Sequence, residues 1–311
     1  MKTAIVGASG FIGKALTTEL TRRGQEVLPV VRSASGISGE LIAGELGDGD
    51  WGGILRGCDT VVHLAARVHQ MRDDAADPLF EFRRINRDGA IAVARGAAAA
   101  GVRRMVFVST VKVNGDASGE RSFAADDVPQ PCGSYAVSKA EAEALLFEFG
   151  AASGLEVVVV RPPLVYGPGV QANFAAMLRA IRWGIPLPFG AIDNNCRSLV
   201  GIDNLVDLLI RCLDHTAAPG RVFLVTDGKD VSTAGLLRLN GDALGRKVRL
   251  IPIPASLLFI LGRLTGRDAA IERLTGNLQV DISETRAVLD WSPPFSIEEQ
   301  LHRTAVEFLT R

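Results

Sequence analysis

Cysteine is scarce. The 311 residues hold four, Cys58, Cys132, Cys196 and Cys212, far apart and without a C-x-x-C pair. This spacing argues against a disulfide framework or a thiolate zinc site and suits a reducing cytoplasm. Cys132 lies three residues before Tyr135; it reads as a loop bystander, with a reactive thiol as the alternative. Charge of one sign is also missing. Formal net charge is −1 and Lys and Arg look scattered, so no basic field invites nucleic acid or an anionic membrane. The longest apolar tract, around Ile251 to Leu261, is interrupted by Pro252 and Pro254. It falls short of the roughly 20 residues that a membrane span needs. It reads as a buried or docking helix, with membrane attachment as the alternative and no insertion expected. No signal peptide is visible, because the first apolar run leads directly into a glycine loop. The four histidines, His63, His69, His215 and His302, are dispersed, which reads as structural use with no metal site. No internal repeat or low-complexity segment stands out.

What is present is ordinary globular composition, 47% hydrophobic and 22% charged. Short apolar runs at Thr3–Val6, Glu26–Val31, Thr60–His63, Met105–Ser109 and Glu156–Arg161 alternate with helical stretches at Lys14–Arg23, Arg87–Ala100 and Ser138–Glu148. This rhythm predicts an α/β fold, a doubly wound parallel sheet covered on both faces. Gly101 should close the alanine-rich helix as its C′ residue. After Arg161 the rhythm breaks into Pro162, Pro163, Gly167, Pro168 and Gly169. The expected division is a dinucleotide-binding domain over 1–165 plus about 191–226, with Val222–Thr226 as a last strand. A smaller interleaved lobe takes 166–190 and 227–311.

Residues 5–16, IVGASGFIGKAL, run from a strand through Gly7, Gly10 and Gly13 into a helix. The first glycine permits a tight turn, the second lets backbone approach a pyrophosphate, and the third lets helix and strand pack closely. The helix N-terminus offers unpaired N–H groups to the phosphates. The second strand ends at Arg32 with no acid to hold a ribose 2′-hydroxyl. A guanidinium there can pair with a 2′-phosphate, which favours NADP, while NAD remains possible if Arg32 stacks on the adenine.

In CGSYAVSKAEAEALL, residues 132–146, Tyr135 and Lys139 are four apart in a helical pattern that Ser134 could cap. Such positions share a face. A nearby ammonium should lower a phenol from its usual value near 10 and make it a usable acid or base.

Taken together, GASGFIG at 7–13, HLAA at 63–66, FVST at 107–110, YAVSK at 135–139, RPPLVYGPG at 161–169, CRSLVGIDN at 196–204 and the late LDWSPP resemble the extended short-chain dehydrogenase/reductase family. Among its subgroups the chain looks most like bacterial nucleotide-sugar 4-reductases and 4-epimerases of surface-polysaccharide synthesis. The resemblance implies a Rossmann-type fold and a catalytic set of Thr110, Tyr135 and Lys139, with Ser109 as runner-up to Thr110. It implies cofactor contacts from Gly7, Ser9, Gly10, Phe11, Ile12 and Gly13, then Arg32, then Glu45 and Leu46, then Leu64, Ala65 and Ala66, with Asn86 and Pro162 beside the active site. Tyr135 and Lys139 would also touch the cofactor, Lys139 at the nicotinamide ribose. For a UDP-sugar substrate it implies Thr110, Asn114, Asn173, Arg197 and Arg273, with Arg197 on the diphosphate. A homodimer is implied, paired through the helix of Tyr135 and the one starting near Arg87. The family's GDL appears here as Gly44-Glu45-Leu46, and its VYG as Val113-Asn114-Gly115.

A 4,6-dehydratase of this family carries an acidic pair after the catalytic Thr, where this chain has Val111 and Lys112. The missing acid after the second strand and the compact length lean toward a reductase of a UDP-4-keto-6-deoxy-N-acetylhexosamine. A UDP-glucose or UDP-N-acetylglucosamine 4-epimerase is the alternative. A non-catalytic dinucleotide sensor is a third reading, against which the Tyr135/Lys139 pair stands.

Overall fold

Runs of Val and Ile that no polar residue interrupts form strands with no solvent face. The computed structural model describes residues 1–68, 77–266 and 268–310. In chain order its elements begin with β1 (Lys2–Val6), α1 (Phe11–Arg22), β2 (Glu26–Val31), β3 (Leu41–Ile42), α2 (Trp51–Ile54), β4 (Thr60–His63) and α3 (Pro78–Phe82). A wide turn of helix, Arg83–Asp88, leads into α4 (Gly89–Ala99), followed by β5 (Arg104–Val108), α5 (Gly133–Ser153), β6 (Glu156–Arg161) and β7 (Leu164–Tyr166). Then come α6 (Ala172–Arg182), β8 (Leu199–Gly201), α7 (Ile202–Asp214), β9 (Arg221–Leu224) and α8 (Thr233–Ala243). The chain closes with α9 (Ala255–Leu264), α10 (Asp268–Thr275), α11 (Ser283–Leu289) and α12 (Ile297–Thr310).

Seven strands form one parallel sheet in the order β3-β2-β1-β4-β5-β6-β9. The order reverses between β1 and β4, and ligands bind such sheets in the crevice at the carboxyl ends of those strands. One face buries Ile5, Val62, Val106 and Val158 against Leu16 and Leu20 of α1 and Leu205 and Leu209 of α7. The other buries Ala4, Val61, Met105 and Val157 against Val93 and Ala97 of α4 and Leu146 of α5. Each fully buried Val or Leu contributes roughly 1.5–3 kcal/mol before conformational entropy is counted. A separate core joins Tyr166, Phe174, Leu178, Leu237 and Leu301 in the smaller lobe, where β7 and β8 make a two-stranded parallel sheet. Leu278, Val280, Ile282, Leu289 and Trp291 pack in the main core, although the sequence division groups them with the lobe.

Several local expectations shift. Helix α5 starts at Gly133 behind Cys132, whose side chain makes no capping bond, so Ser134 lies inside the first turn and does not cap it. Ala90, Ala94 and Ala97 are fully buried on the sheet side, the packing that small side chains equally allow. The tract at 251–261 is not buried, since only Leu258 and Gly262 of α9 are enclosed. No helix among the described residues is long and apolar enough to cross a membrane. Gly101 has φ +76° after the last residues of α4, as a C′ glycine should. His63 is buried in β4, and His69 lies outside the described residues.

Candidate active site

The loop leaving β1 is shaped by two glycines that nothing larger could replace. Gly7 has φ +92°, and a Cβ there would stand 2.7 Å from the backbone nitrogen of Ala65. A Cβ on Gly13 would stand 2.3 Å from the Gly7 carbonyl oxygen and 2.7 Å from Ala8 Cα. Helix α1 therefore presses onto β1, and its N-cap, Gly10, supplies no side-chain capping bond. Ser9 and Gly10 are exposed and Phe11 and Ile12 half-buried, so the open N–H groups face outward in a cradle that fits a pyrophosphate. Leu64 and Ala65 donate their N–H groups to Val6 O at 2.8 and 3.0 Å, which brings the Leu64–Ala66 turn against that cradle.

At the end of β2 the Arg32 guanidinium meets the Glu45 carboxylate at 3.8 Å, with their side chains 73% and 46% exposed. The expected phosphate partner therefore has a carboxylate beside it, which repels a 2′-phosphate and tempers the NADP reading. Leu46 packs under α4, where a Cβ on Gly89 would meet Leu46 Cβ at 2.7 Å. Its carbonyl accepts from Trp51 Nε1.

Thr110 follows β5 at the carboxyl edge of the sheet. Its Oγ1 accepts from Lys112 N–H at 3.3 Å, and its hydroxyl lies near enough to the Tyr135 phenol to favour the phenolate. Tyr135 stands in the first turn of α5, its ring 6.2 Å from Phe82 in an edge-on contact. One turn on, Lys139 is buried. Its Nζ donates to Val108 O at 2.7 Å and lies 4.1 Å above the Phe107 ring. The expected direction of tuning is reversed. Burial pushes the Tyr135 phenol up to about 12, with the nearby Thr110 hydroxyl acting in the opposite direction. Burial pushes Lys139 down to about 7 against the opposing charge of Glu143. The ammonium faces the Val108 carbonyl and the Phe107 ring. Ser109 is also buried, and its Oγ has no partner among the described residues.

Below this group is a network absent from the sequence reading. Arg161 holds Glu143 at 2.5 Å, and both are buried. Arg161 Nη1 also donates to Asn114 Oδ1 at 3.0 Å, while Asn114 Nδ2 donates to Ala124 O at 2.8 Å. Asn114 is thus turned inward and engaged at both ends. Asn86 sits in the wide turn before α4. Its Oδ1 accepts from Arg67 N–H, and its Nδ2 donates to Arg67 O and Ser138 Oγ. Its side chain joins the loop after β4 to α5. Pro162 O accepts from Val111 N–H at 3.0 Å, tying the end of β6 to the turn after Thr110. His63 was legible only as a strand residue. Burial holds its imidazole down to about 3, Lys139 acts in the same direction, and neither ring nitrogen has a partner among the described residues. The 4-residue spacing of Lys139 and Glu143 was the one sequence signal for this cluster.

On the lobe side, Arg197 and Arg273 come together from 76 positions apart. Arg197 Nη1 donates to the carbonyls of Gly276, at 3.2 Å, and Arg273. Burial, and after it the charge of Arg273, presses the Arg197 guanidinium below its usual value. Neither forms an ion pair among the described residues, and Arg273 Nε donates to Ala269 O on its own helix at 2.9 Å. The strand-like segment at 277–280 bonds to Ser118 and Phe123 on one side and to residues 196–198 on the other, so it links this pair to the loop after Thr110. Asn173 is exposed at the start of α6 and is not joined to that pair. Among the described residues no group of three or more His, Cys, Asp or Glu gathers as for a metal.

A family model described as the NAD dependent epimerase/dehydratase family matches residues 3–226. The chain is 42% identical over 311 residues to a protein of Vibrio cholerae named UDP-glucose 4-epimerase, covering 98% of this chain and 94% of that one. Its fold superposes on MoeE5 in complex with UDP-glucose and NAD, with a TM-score of 0.80 at 24% identity, over 100% and 99% of the two chains. It also superposes on the UDP-N-acetylglucosamine 4-epimerase from Bacillus cereus, with a TM-score of 0.82 at 18% identity over 99% of each chain.

Proposed function

The chain belongs to the NAD dependent epimerase/dehydratase family, and from that membership we propose that it exchanges a hydride at C4 of a UDP-linked hexose. The observation that supports this most directly is the grouping of Thr110, Tyr135 and Lys139 at the carboxyl edge of β5, beside the Gly7–Gly13 cradle. The cradle would hold the pyrophosphate of NAD(P), and Lys139 the nicotinamide ribose. When bound, the dinucleotide takes up and returns a hydride, and its oxidised ring brings positive charge toward the phenol. Thr110 holds the C4 oxygen by its hydroxyl. Tyr135 takes the C4 hydroxyl proton as the alcohol becomes a ketone and returns it in the reverse direction. Arg197 and Arg273 would hold the diphosphate of the UDP group. Val111 and Lys112 offer no acid for elimination of water, so a dehydratase is set aside. Pairing of two copies through α4 and α5 belongs to the same reading.

Two finer readings follow. The 4-epimerase reading is favoured by the name of the Vibrio cholerae relative and by Glu45, which disfavours a 2′-phosphate at Arg32. The 4-ketoreductase reading is favoured by the absence of an acid at the end of β2 and by the exposure of Arg32. Denaturing the purified protein and identifying the dinucleotide it releases separates them. Near-stoichiometric NAD, with interconversion of UDP-glucose and UDP-galactose seen by NMR, is the epimerase outcome. Empty protein that binds NADPH more tightly than NADH, and reduces a UDP-4-keto sugar, is the ketoreductase outcome. Protein that binds dinucleotide but changes no UDP-sugar at C4 sinks both and leaves the sensor.

A further inference from the structure

Helix α9 has its apolar stripe on the wrong side for a globular helix. Leu257, Ile260, Leu261 and Leu264 recur at i, i+3, i+4 and i+7, and are 46%, 56%, 47% and 78% exposed. Leu258 and Gly262 are buried and Ala255 and Phe259 half-buried on the inner side, and the helix packs against α10, none of whose residues is buried. By contrast α6, of similar length, buries Phe174, Ala175, Leu178 and Ile181. Ile251, just before α9, is 46% exposed and extends the apolar surface. A contiguous exposed face of this kind marks a surface that is covered in use.

Charge indicates what covers it. The whole chain has 34 basic and 35 acidic side chains, yet residues 246–273 hold six basic and two acidic ones. The apparent scatter of Lys and Arg thus hides one cationic island in an otherwise acidic chain. Arg246, Lys247, Arg249 and Arg263 are exposed, and among the described residues they enter no ion pair. An apolar stripe flanked by cations is the pattern of a helix lying in the plane of an anionic lipid surface, its leucines among the acyl chains and its arginines at the headgroups. A second copy fits less well, because a two-fold contact through this face would set the same cations against each other.

We propose that α9, with the basic segment leading into it, docks the protein peripherally on an anionic bilayer, without spanning it. Arg197 is bonded to the carbonyls of Arg273 and Gly276 at the end of α10, so the docked face adjoins the lobe side of the candidate site. The proposal is independent of the reaction catalysed.

The test is sedimentation of the full chain with vesicles of mixed phosphatidylglycerol and phosphatidylcholine, and with vesicles of phosphatidylcholine alone. The expected result is binding to the anionic vesicles only, weakened by salt. Replacing Arg246, Lys247 and Arg249 by alanine should lower partitioning by roughly fivefold per cation. The triple change Ile260→Ser, Leu261→Ser, Leu264→Ser should abolish it while leaving the circular dichroism melt unchanged, since these side chains are solvent-facing. Equal binding to neutral vesicles, or none to either, would overturn the proposal. So would a dimer in size-exclusion chromatography that the serine changes dissociate, which would assign the face to a second copy. Retention of vesicle binding by the serine variant would place the contact elsewhere on the molecule and overturn it as well.

Discussion

Burial pushes Lys139 down to about 7, well under its ordinary value near 10.5. A lysine enclosed by Val108 O and the Phe107 ring is kept at a cost in stability, which is common where a site needs a charge in a fixed place. The unfolded chain holds this proton up to about 10.5 while the folded chain releases it near 7. Stability therefore rises with pH across that interval and carries the full penalty below it. Lys139→Met should raise the melting temperature, most below pH 7, with the advantage shrinking as pH climbs from 7 to 10.5, and should remove turnover. A melting difference that stays flat across that range would show that the ammonium is not penalised. Tyr135→Phe is the contrast: it removes only the hydroxyl beside Thr110, so fold and dinucleotide binding persist while turnover falls by about a hundredfold or more.

At the scale of elements, the strand–glycine–helix unit at the front of the chain was legible because each glycine has a separate steric duty. Those duties predict different outcomes. A Cβ on Gly13 would lie 2.3 Å from Gly7 O, so Gly13→Ala must move α1 off β1. This should cost about 1–3 kcal/mol and most of the dinucleotide affinity. A Cβ on Gly10 meets only Gly7 O, at 3.3 Å, and its backbone is extended with φ −72°. Gly10→Ala should therefore keep the melting temperature and lose affinity alone, as paired melts and calorimetric titrations would show. Less was legible where tertiary contacts override local pattern. The start of α5 at Gly133 lies five residues before the predicted Ser138, because no side-chain cap marks it. The two-residue β3 has too little periodicity to detect, and it exists because Val30 and Val31 offer a free edge to Leu41 and Ile42. The wide turn at Arg83–Asp88 follows from Asn86 reaching both Arg67 and Ser138, contacts that no spacing along the chain announces.

Across the whole molecule, what the sequence left hidden is long-range pairing. Leu278 to Trp291 join the main core and not the lobe, so the two parts are stitched together rather than strung in order. The same stitching brings Arg273 to Arg197. Burial and the charge of Arg273 both disfavour the Arg197 guanidinium, and a diphosphate bound beside it would relieve that pressure. The pair should therefore add to the binding of the UDP moiety in the ground state and the transition state alike. Arg273→Gln and Arg197→Gln should each raise KM for a UDP-sugar by about tenfold or more, as loss of a charge-assisted hydrogen bond does, with kcat little changed. Arg273 is the cleaner test, because its side chain is exposed and, among the described residues, bonds only to Ala269 O, so the variant should melt as the parent does. Affinity for UDP should fall in both variants while affinity for uridine, which lacks the diphosphate, stays where it was. Equal losses for UDP and uridine would mean that the arginines shape the lobe and do not grip the phosphates.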